Sequence, residues 1–213
     1  MNLEKLHHIC EVFVTDRMSA DPAHDVSHVK RVVKNTSYLT DIEEANSMIT
    51  TAAAWLHDCV SVAKDSELRS QASRLAAREA IGFLEQTDYP ASLLDDVHHA
   101  IEAHSFSANI PTRTLEAEIV QDADRLEALG AIGIARCLLT GGSMGARLYA
   151  PNDPFCVHRE PDDRNFSIDH FYKKLFTLPD TMKTQAGKAE AHLRADYMRG
   201  YLKQFENEIE GGF

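Results

Sequence analysis

The sequence predicts an all-α fold, and two observations favour it. Apolar residues recur at intervals of three and four along most of the chain, a spacing that places them on one face of a helix. No segment alternates apolar and polar residues over a convincing length, as a half-buried strand does. With 213 residues, 44% of them hydrophobic, the chain can bury one sizeable core. We therefore expect a single helical domain over residues 1–213, with its core at about 20–130 and C-terminal helices at about 167–209.

Six apolar stripes predict the helices in the first part of the chain. The stripes begin, in order, at Leu3, Val29, Ile42, Leu68, Leu93 and Leu115. The third stripe contains Ala52 and Ala53 and ends at Leu56, so its small side chains favour a central, buried helix. Pro90 separates the fourth stripe from the fifth.

The composition changes after the sixth predicted helix. The chain becomes rich in Gly, Pro and Asp, which predicts a long irregular insertion near 140–166, and residues 140–164 are a candidate lid over a binding site. Helical spacing returns at 168–209 and predicts helices that face the core. Leu193 and Tyr197 belong to this second pattern and are expected to be buried.

The charge and the cysteine content narrow the range of expected binding partners and cellular compartments. The chain has 22 basic and 33 acidic residues, and its net charge of -11 disfavours long nucleic acids and anionic membranes as partners. A small anionic substrate is compatible with this charge, because a bound cation reverses the potential inside one cleft. The four cysteines show neither CxxC spacing nor a disulfide-rich pattern, and no signal peptide or membrane-spanning run is recognisable. We therefore expect a cytoplasmic protein with free thiols.

Two histidines and two aspartates occur within otherwise apolar helical patterns, where an unpaired charge is costly. They are His28, the pair His57-Asp58 at the end of the third predicted helix, and Asp124, which follows Val120 by about one turn. Two imidazoles and two carboxylates suit Mn, Fe, Co, Ni, Zn or Mg and leave coordination positions for water and substrate oxygens. The pattern indicates a hydrolytic metal site. The alternative is a buried His-Asp pair joined by a hydrogen bond, without a metal.

The order of these residues on successive helices resembles the metal-binding signature of the HD-domain phosphohydrolase superfamily. More narrowly, the chain resembles the bacterial YedJ-type branch in four segments, 24–31, 103–107, 119–136 and 178–182. The resemblance implies an all-helical HD-type bundle and a divalent metal ion held by His28, His57, Asp58 and Asp124. It favours Asp124 over Asp122, because the last ligand of the superfamily lies in an Ala-Asp-Arg-Leu context, which here is residues 123–126.

The resemblance also implies hydrolysis of a phosphate ester or phosphoanhydride, and similar branches act on nucleotides. This chemistry requires positive charge beside the equatorial phosphate oxygens. The candidates for binding the phosphate are Lys64, Arg31, Arg69 and Arg125. Lys64 is the first of them, because it follows soon after His57, and it is expected to act in catalysis as well. For each arginine, the alternative is a solvated helix face or a structural ion pair.

Further residues are expected to act beside the ligands. Asp58 and His104 complete the predicted catalytic set, in which His104 donates a proton to the leaving oxygen. The alternative for His104 is a buried core histidine held by a hydrogen bond. Asp122 and His24 are expected to lie behind the ligands, where they orient a ligand or a water molecule. Cys59 is assigned to packing.

Two differences from related branches of the superfamily narrow the range of expected substrates. The residues after Asp58 lack the Glu-Asp pair of guanosine polyphosphate hydrolases, and the chain has no Gly-Tyr-Pro segment typical of the cyclic dinucleotide phosphodiesterases. We therefore predict a metal-dependent phosphohydrolase that acts on a small phosphorylated metabolite, in particular a nucleotide. The alternative is a catalytically silent nucleotide-binding or regulatory HD module. No oligomeric state is predicted.

Overall fold

The computed structural model describes residues 1–17, 26–60, 62, 71–105 and 108–211. This part of the chain is mostly helical and contains no strand, and an isolated β-bridge joins Arg147 to Phe166. The all-α prediction is confirmed. Within the described helices, no segment combines the length and apolar character that crossing a bilayer requires. The chain divides into two compact units, Met1–Asp124 and Arg125–Phe213, and the expectation of a single domain stays a prediction.

Six α-helices lie in the described part of the first unit, the last of them ending just beyond it. They are α1 (Leu3–Arg17), α2 (Val26–Glu43), α3 (Ser47–Leu56), α4 (Ala72–Leu84), α5 (Leu94–His104) and α6 (Leu115–Leu126). A short 3₁₀ turn at Ala91–Leu93 leads into α5. Helix α3 is central, because it packs against α1, α2 and α5 and its residues from Ile49 to Leu56 are all buried. Its alanines at 52–54 let the neighbouring helices approach closely.

Helix α3 begins later than its apolar stripe predicts. Ile42 belongs to α2 and is 52% exposed. The chain then turns at Glu44, whose φ of 54° lies in the left-handed region. Asn46 caps α3, since its side chain accepts a hydrogen bond of 3.0 Å from the backbone N–H of Met48. The stripe does not reveal this break because Ile42 and Ala45 continue the helical spacing across the turn.

The second unit contains α7 (Gly130–Ser143), α8 (Asp169–Lys173) and α9 (Gln185–Glu210), with a 3₁₀ segment at Leu175–Thr181. Helix α9 packs against α7 and the 3₁₀ segment. Its buried residues are mostly small and comprise Gly187, Ala191, Ala195, Met198 and Leu202. Leu193 and Tyr197 are 68% and 59% exposed, so the prediction that they face the core was wrong. The small residues occupy the buried face because they allow α9 to lie close to its neighbours.

Helix α7 continues through Gly141 to Ser143, so the irregular segment begins later than predicted. A Cβ atom at Gly141 would lie 2.1 Å from Ser167 Oγ. This glycine therefore permits a close approach within a helix and does not break it. From 144 to 168 the chain is irregular, as predicted. Its role as a lid stays a prediction.

Polar contacts organise the irregular segment. Asp169, at the start of α8, is fully buried and accepts hydrogen bonds from both terminal nitrogens of the Arg159 guanidinium. The Asp169 carboxylate also accepts a hydrogen bond of 2.6 Å from the backbone N–H of Asp162. Asp153 accepts hydrogen bonds from two consecutive backbone N–H groups, beginning at Val157. The carboxylates of Asp153 and Asp169 therefore hold the segment in place, because they accept hydrogen bonds from its backbone N–H groups and from the Arg159 guanidinium.

Candidate metal centre

The predicted metal ligands come together in the first unit. His28 lies on the buried face of α2, His57 and Asp58 follow the end of α3, and Asp124 lies near the end of α6. His28 and His57 are 2% and 0% exposed. The side chains of Asp58 and Asp124 are 30% and 29% exposed. The imidazoles thus form the interior of the site, and the carboxylates form its solvent-accessible side.

The distances between the donor atoms are compatible with a single ion. His28 Nε2 lies 3.5 Å from Asp124 Oδ1, and His57 Nε2 lies 4.0 Å from the same oxygen and 3.6 Å from Asp58 Oδ2. An ion with bonds of about 2.1 Å joins donor atoms up to about 4.2 Å apart. The donor atoms of His28, His57 and Asp58 all lie within 4.8 Å of one another. Within this group of three residues, the widest pair therefore needs to close by less than about 1 Å to share an ion.

His57 shows the clearest fit to a metal. Its Nδ1 lies 2.8 Å from the backbone oxygen of Ala54, which assigns the proton to Nδ1 and the lone pair to Nε2. The Nε2 atom is buried and has no hydrogen-bond partner among the described residues, which is costly for a polar atom unless another group binds it. Burial lowers the pKa of His57 despite the neighbouring Asp58 carboxylate, and so favours the neutral imidazole that metals bind.

His104, the last residue of α5, borders the site. Its Nδ1 lies 2.6 Å from the backbone oxygen of Ile101, and its Nε2 lies 3.6 Å from Asp58 Oδ1. Burial lowers the pKa of His104, but the carboxylates of Asp58 and Asp124 outweigh it and hold this pKa above its ordinary value. Asp58 therefore directs one oxygen to His57 and the other to His104. The position of His104 beside Asp58 is compatible with its predicted role as proton donor. Its hydrogen bond to the Ile101 carbonyl is equally compatible with the alternative, a buried structural histidine.

The remaining predicted residues have different placements. Asp122 on α6 is fully buried, more so than Asp124. Arg31 is partly exposed and lies about one helical turn after His28. Arg125 Nη1 donates a hydrogen bond of 2.7 Å to the backbone oxygen of Thr181, which supports the structural alternative for this arginine. The predictions that lie outside the described residues are those for Lys64, Arg69 and His24.

Gln121 belongs to the site region, although the sequence pattern did not indicate it. The residue is 4% exposed, and its Nε2 donates a hydrogen bond of 2.7 Å to the backbone oxygen of Ala103. Gln121 therefore ties the end of α5, which carries His104, to α6, which carries Asp124. No spacing rule identifies such a role, because the partner of Gln121 is a backbone carbonyl on another helix.

Comparison with known proteins identifies the family. The protein-family model of the HD domain matches residues 25–129, and this range includes all four candidate ligands. The uncharacterized protein YpgQ of Bacillus subtilis (strain 168) is 31% identical over 213 residues, covering 98% of this chain and 94% of that protein. The chain belongs to the HD domain family.

Solved structures share the HD domain fold over nearly the whole chain. An HD-superfamily hydrolase from Bacillus thuringiensis has 34% sequence identity and a TM-score of 0.77, covering 98% of this chain and 99% of that chain. The crystal structure of Bacillus subtilis YpgQ in complex with ADP has 30% identity and a TM-score of 0.77, covering 99% of this chain and 98% of that chain. The fold is that of HD-superfamily hydrolases, as the sequence predicts.

Proposed function

We propose that this HD domain protein is a metal-dependent phosphohydrolase that acts on a small phosphorylated substrate, a nucleotide. The observation that carries the proposal is the buried Nε2 of His57, which lacks a hydrogen-bond partner among the described residues and lies beside the carboxylates of Asp58 and Asp124. A divalent cation fits this arrangement, because it accepts the lone pair of His57 Nε2 and balances the negative charges of Asp58 and Asp124.

The positions of four side chains determine where such an ion would bind. The ion would be held by His28, His57, Asp58 and Asp124. When bound, a divalent ion polarises a phosphoryl oxygen and lowers the pKa of its water from about 15.7 toward 7. The Ala54 carbonyl orients His57, and Gln121 couples the helices that carry His104 and Asp124. The partly exposed carboxylates leave the solvent side of the site accessible to a substrate.

His104 is the proposed proton donor to the leaving oxygen. Its Nδ1 is occupied by the Ile101 carbonyl, so the exchangeable proton is on Nε2, which lies 3.6 Å from Asp58 Oδ1. A leaving oxygen that approaches Asp58 is therefore within reach of this proton.

Two of the cations predicted to bind the phosphate are described: Arg31 lies about one helical turn after the ligand His28, and Arg125 directly follows the ligand Asp124. Arg31 is the preferred one of the two, because Arg125 Nη1 already donates a hydrogen bond to the backbone oxygen of Thr181. Lys64 and Arg69 complete the proposed set.

A nucleotide is the proposed substrate class for two reasons. The structure of YpgQ from Bacillus subtilis contains ADP, and YpgQ has the same fold at 30% identity. The net charge of -11 is unfavourable for polynucleotides, whereas a bound cation attracts a small polyphosphate locally.

The proposal is tested by a screen of nucleotides and phosphorylated metabolites with Mn, Co, Ni or Mg. The parent protein is compared with Asp58→Ala and with Asp196→Ala, a control that removes a carboxylate whose side chain is 71% exposed on α9. We expect release of phosphate or pyrophosphate by the parent and by Asp196→Ala. The Asp58→Ala protein should be slower by at least about 100-fold, the upper end of the effects of residues that only support a ligand. The product distinguishes terminal cleavage, which gives phosphate, from inner cleavage, which gives pyrophosphate.

The competing function, a nucleotide-binding or regulatory module without turnover, predicts a different result. In that case ADP binds to the parent protein, but no compound releases phosphate or pyrophosphate with any of the ions. This outcome would overturn the proposed activity and leave the family assignment unchanged.

A further inference from the structure

A cavity of about 380 Å³ lies within the second unit, and the proposed function assigns no role to it. Its walls come from α7 with the nearby Ala128 and Met144, from residues 163–170 and from Leu175. All of its lining residues belong to the second unit, so none of them is a proposed metal ligand. The volume lies in the range of about 300–1,000 Å³ that is typical of sites for small molecules.

Two hydroxyl groups that line this cavity are available as donors. Ser167 is 4% exposed, and its backbone N–H and C=O are satisfied by Arg147 and Cys137. Its hydroxyl has no hydrogen-bond partner in the described part of the chain, and it lies beside Gly141, which lines the same cavity. The hydroxyl of Thr140 is likewise without a partner among the described residues. Ser167 is buried and Thr140 is half-buried, and both line a cavity in which a ligand or a water molecule can accept a hydrogen bond from them.

The charges around the cavity favour an anion. Arg164 is exposed at the cavity, and its guanidinium has no ion-pair partner within the described ranges. Arg136 also lines the cavity and lies 3.7 Å from the buried carboxylate of Glu127. The one acidic lining residue, Asp163, lies within hydrogen-bond distance of His170 Nδ1, at 2.9 Å, and forms an ion pair with Lys173 at 3.6 Å. The lining therefore has an excess of positive charge, although the whole chain is acidic.

We propose that this cavity binds a small organic anion through a phosphate or carboxylate group. Arg164 provides the planar pair of N–H donors that matches an oxyanion, and Thr140 and Ser167 provide neutral hydroxyl donors at the wall. Arg136 adds positive charge. None of the residues that line this cavity is among the proposed catalytic residues, and the proposal does not depend on the proposed activity.

The experiment is calorimetric titration of metal-free Asp58→Ala protein with inorganic pyrophosphate and, separately, with citrate. The absence of metal removes metal-mediated anion binding at the candidate metal centre, and any binding by the cations near that centre is not expected to change when a cavity residue is replaced. Arg164→Ala and Thr140→Val are then added singly to this background. Arg78→Ala is the matched control, because Arg78 is an exposed arginine on α4 in the first unit.

We expect at least one of the two anions to bind. Its Kd should weaken by about tenfold or more in Arg164→Ala, the effect of losing one charge-assisted hydrogen bond, and by a few-fold in Thr140→Val. The Arg78→Ala protein should bind like the background protein. Binding of pyrophosphate alone identifies a phosphate ligand, and binding of citrate alone identifies a carboxylate ligand. The proposal is overturned if neither anion binds, if Arg164→Ala binds as well as its background, or if Arg78→Ala weakens binding equally.

Discussion

The Nδ1 atom of His57 lies 2.8 Å from the carbonyl oxygen of Ala54, within the same turn of chain. Because this bond uses the Nδ1 proton, the lone pair of Nε2 is directed to the carboxylates before any cation binds. A buried polar atom without a partner costs about 1–3 kcal/mol. The metal-free protein is therefore expected to be less stable than the same protein with a bound ion.

Addition of Mn²⁺ should raise the melting temperature of the parent protein. An ion at a concentration of about 100 times its Kd adds about 2.7 kcal/mol, which corresponds to about 5–10 °C for a chain of this size. Differential scanning fluorimetry with and without Mn²⁺ measures the shift. Asp58→Ala should lose most of it, and His192→Ala, which changes an exposed histidine on α9, should keep it. An equal shift in Asp58→Ala would show that Mn²⁺ binds elsewhere.

Replacement of Gln121 should weaken both the fold and the metal site. Gln121→Ala leaves the Ala103 carbonyl without its side-chain donor, so we expect the free energy of unfolding to fall by about 1–3 kcal/mol. The affinity for Mn²⁺ should fall by about tenfold, since His104 and Asp124 lose a shared support. Urea denaturation and calorimetry measure the two effects. Gln204→Ala on the exposed side of α9 serves as control, and unchanged Mn²⁺ affinity in Gln121→Ala would limit Gln121 to a structural role.

Replacement of Asp169 should strongly destabilise the protein. Asp169→Ala removes a fully buried carboxylate and leaves both the Arg159 guanidinium and the Asp162 N–H without their acceptor. We expect a loss of about 3 kcal/mol in the free energy of unfolding. Asp196→Ala, which breaks an exposed ion pair with Arg199, should cost at most about 1 kcal/mol. Equal losses in the two variants by urea denaturation would contradict the structural importance of the Asp169 contacts.

The thiols should react slowly in the folded protein. Burial raises the pKa of Cys10 and Cys59 to about 12, and the pKa of Cys137 and Cys156 to about 11. Because the thiolate is the reactive form, labelling by iodoacetamide should be much slower at pH 8 than after unfolding, and it should accelerate as the pH rises toward these values. Timed mass spectrometry should detect the partly exposed Cys137 and Cys156 before Cys10 and Cys59. Early labelling of Cys59 in the folded protein would contradict its buried position.

The candidate ligands are recognisable in the sequence because chemistry and periodicity coincide at these positions. His28 and Asp124 interrupt apolar helical stripes, and His57-Asp58 closes one, so residue type and spacing point to the same site. Asp124 Oδ1 lies 3.5 Å from His28 Nε2, a separation that one ion can span, and the assignment of these residues as ligands stays a prediction.

Other features of the structure depend on tertiary contacts that produce no periodic pattern in the sequence. The two possible faces of α9 are both apolar in sequence, and only the close approach of its neighbours selects the face with Ala191 and Ala195 over the one with Leu193. Gly141 is typical of a helix end, yet it lies within α7 because of the proximity of Ser167. Gln121 acts through a backbone oxygen, which has no residue type to recognise.

The alanines at 52–54 of α3 have no exposed surface, and their helix packs against α1, α2 and α5. Each added methylene in such a position typically displaces backbone at a cost of about 1–3 kcal/mol. His57 and Asp58 follow directly at the end of this helix, so a displacement there would move them as well. Mutational tolerance at these three positions should therefore be among the lowest in the protein, and a saturation library selected for activity should return almost only alanine, glycine and serine.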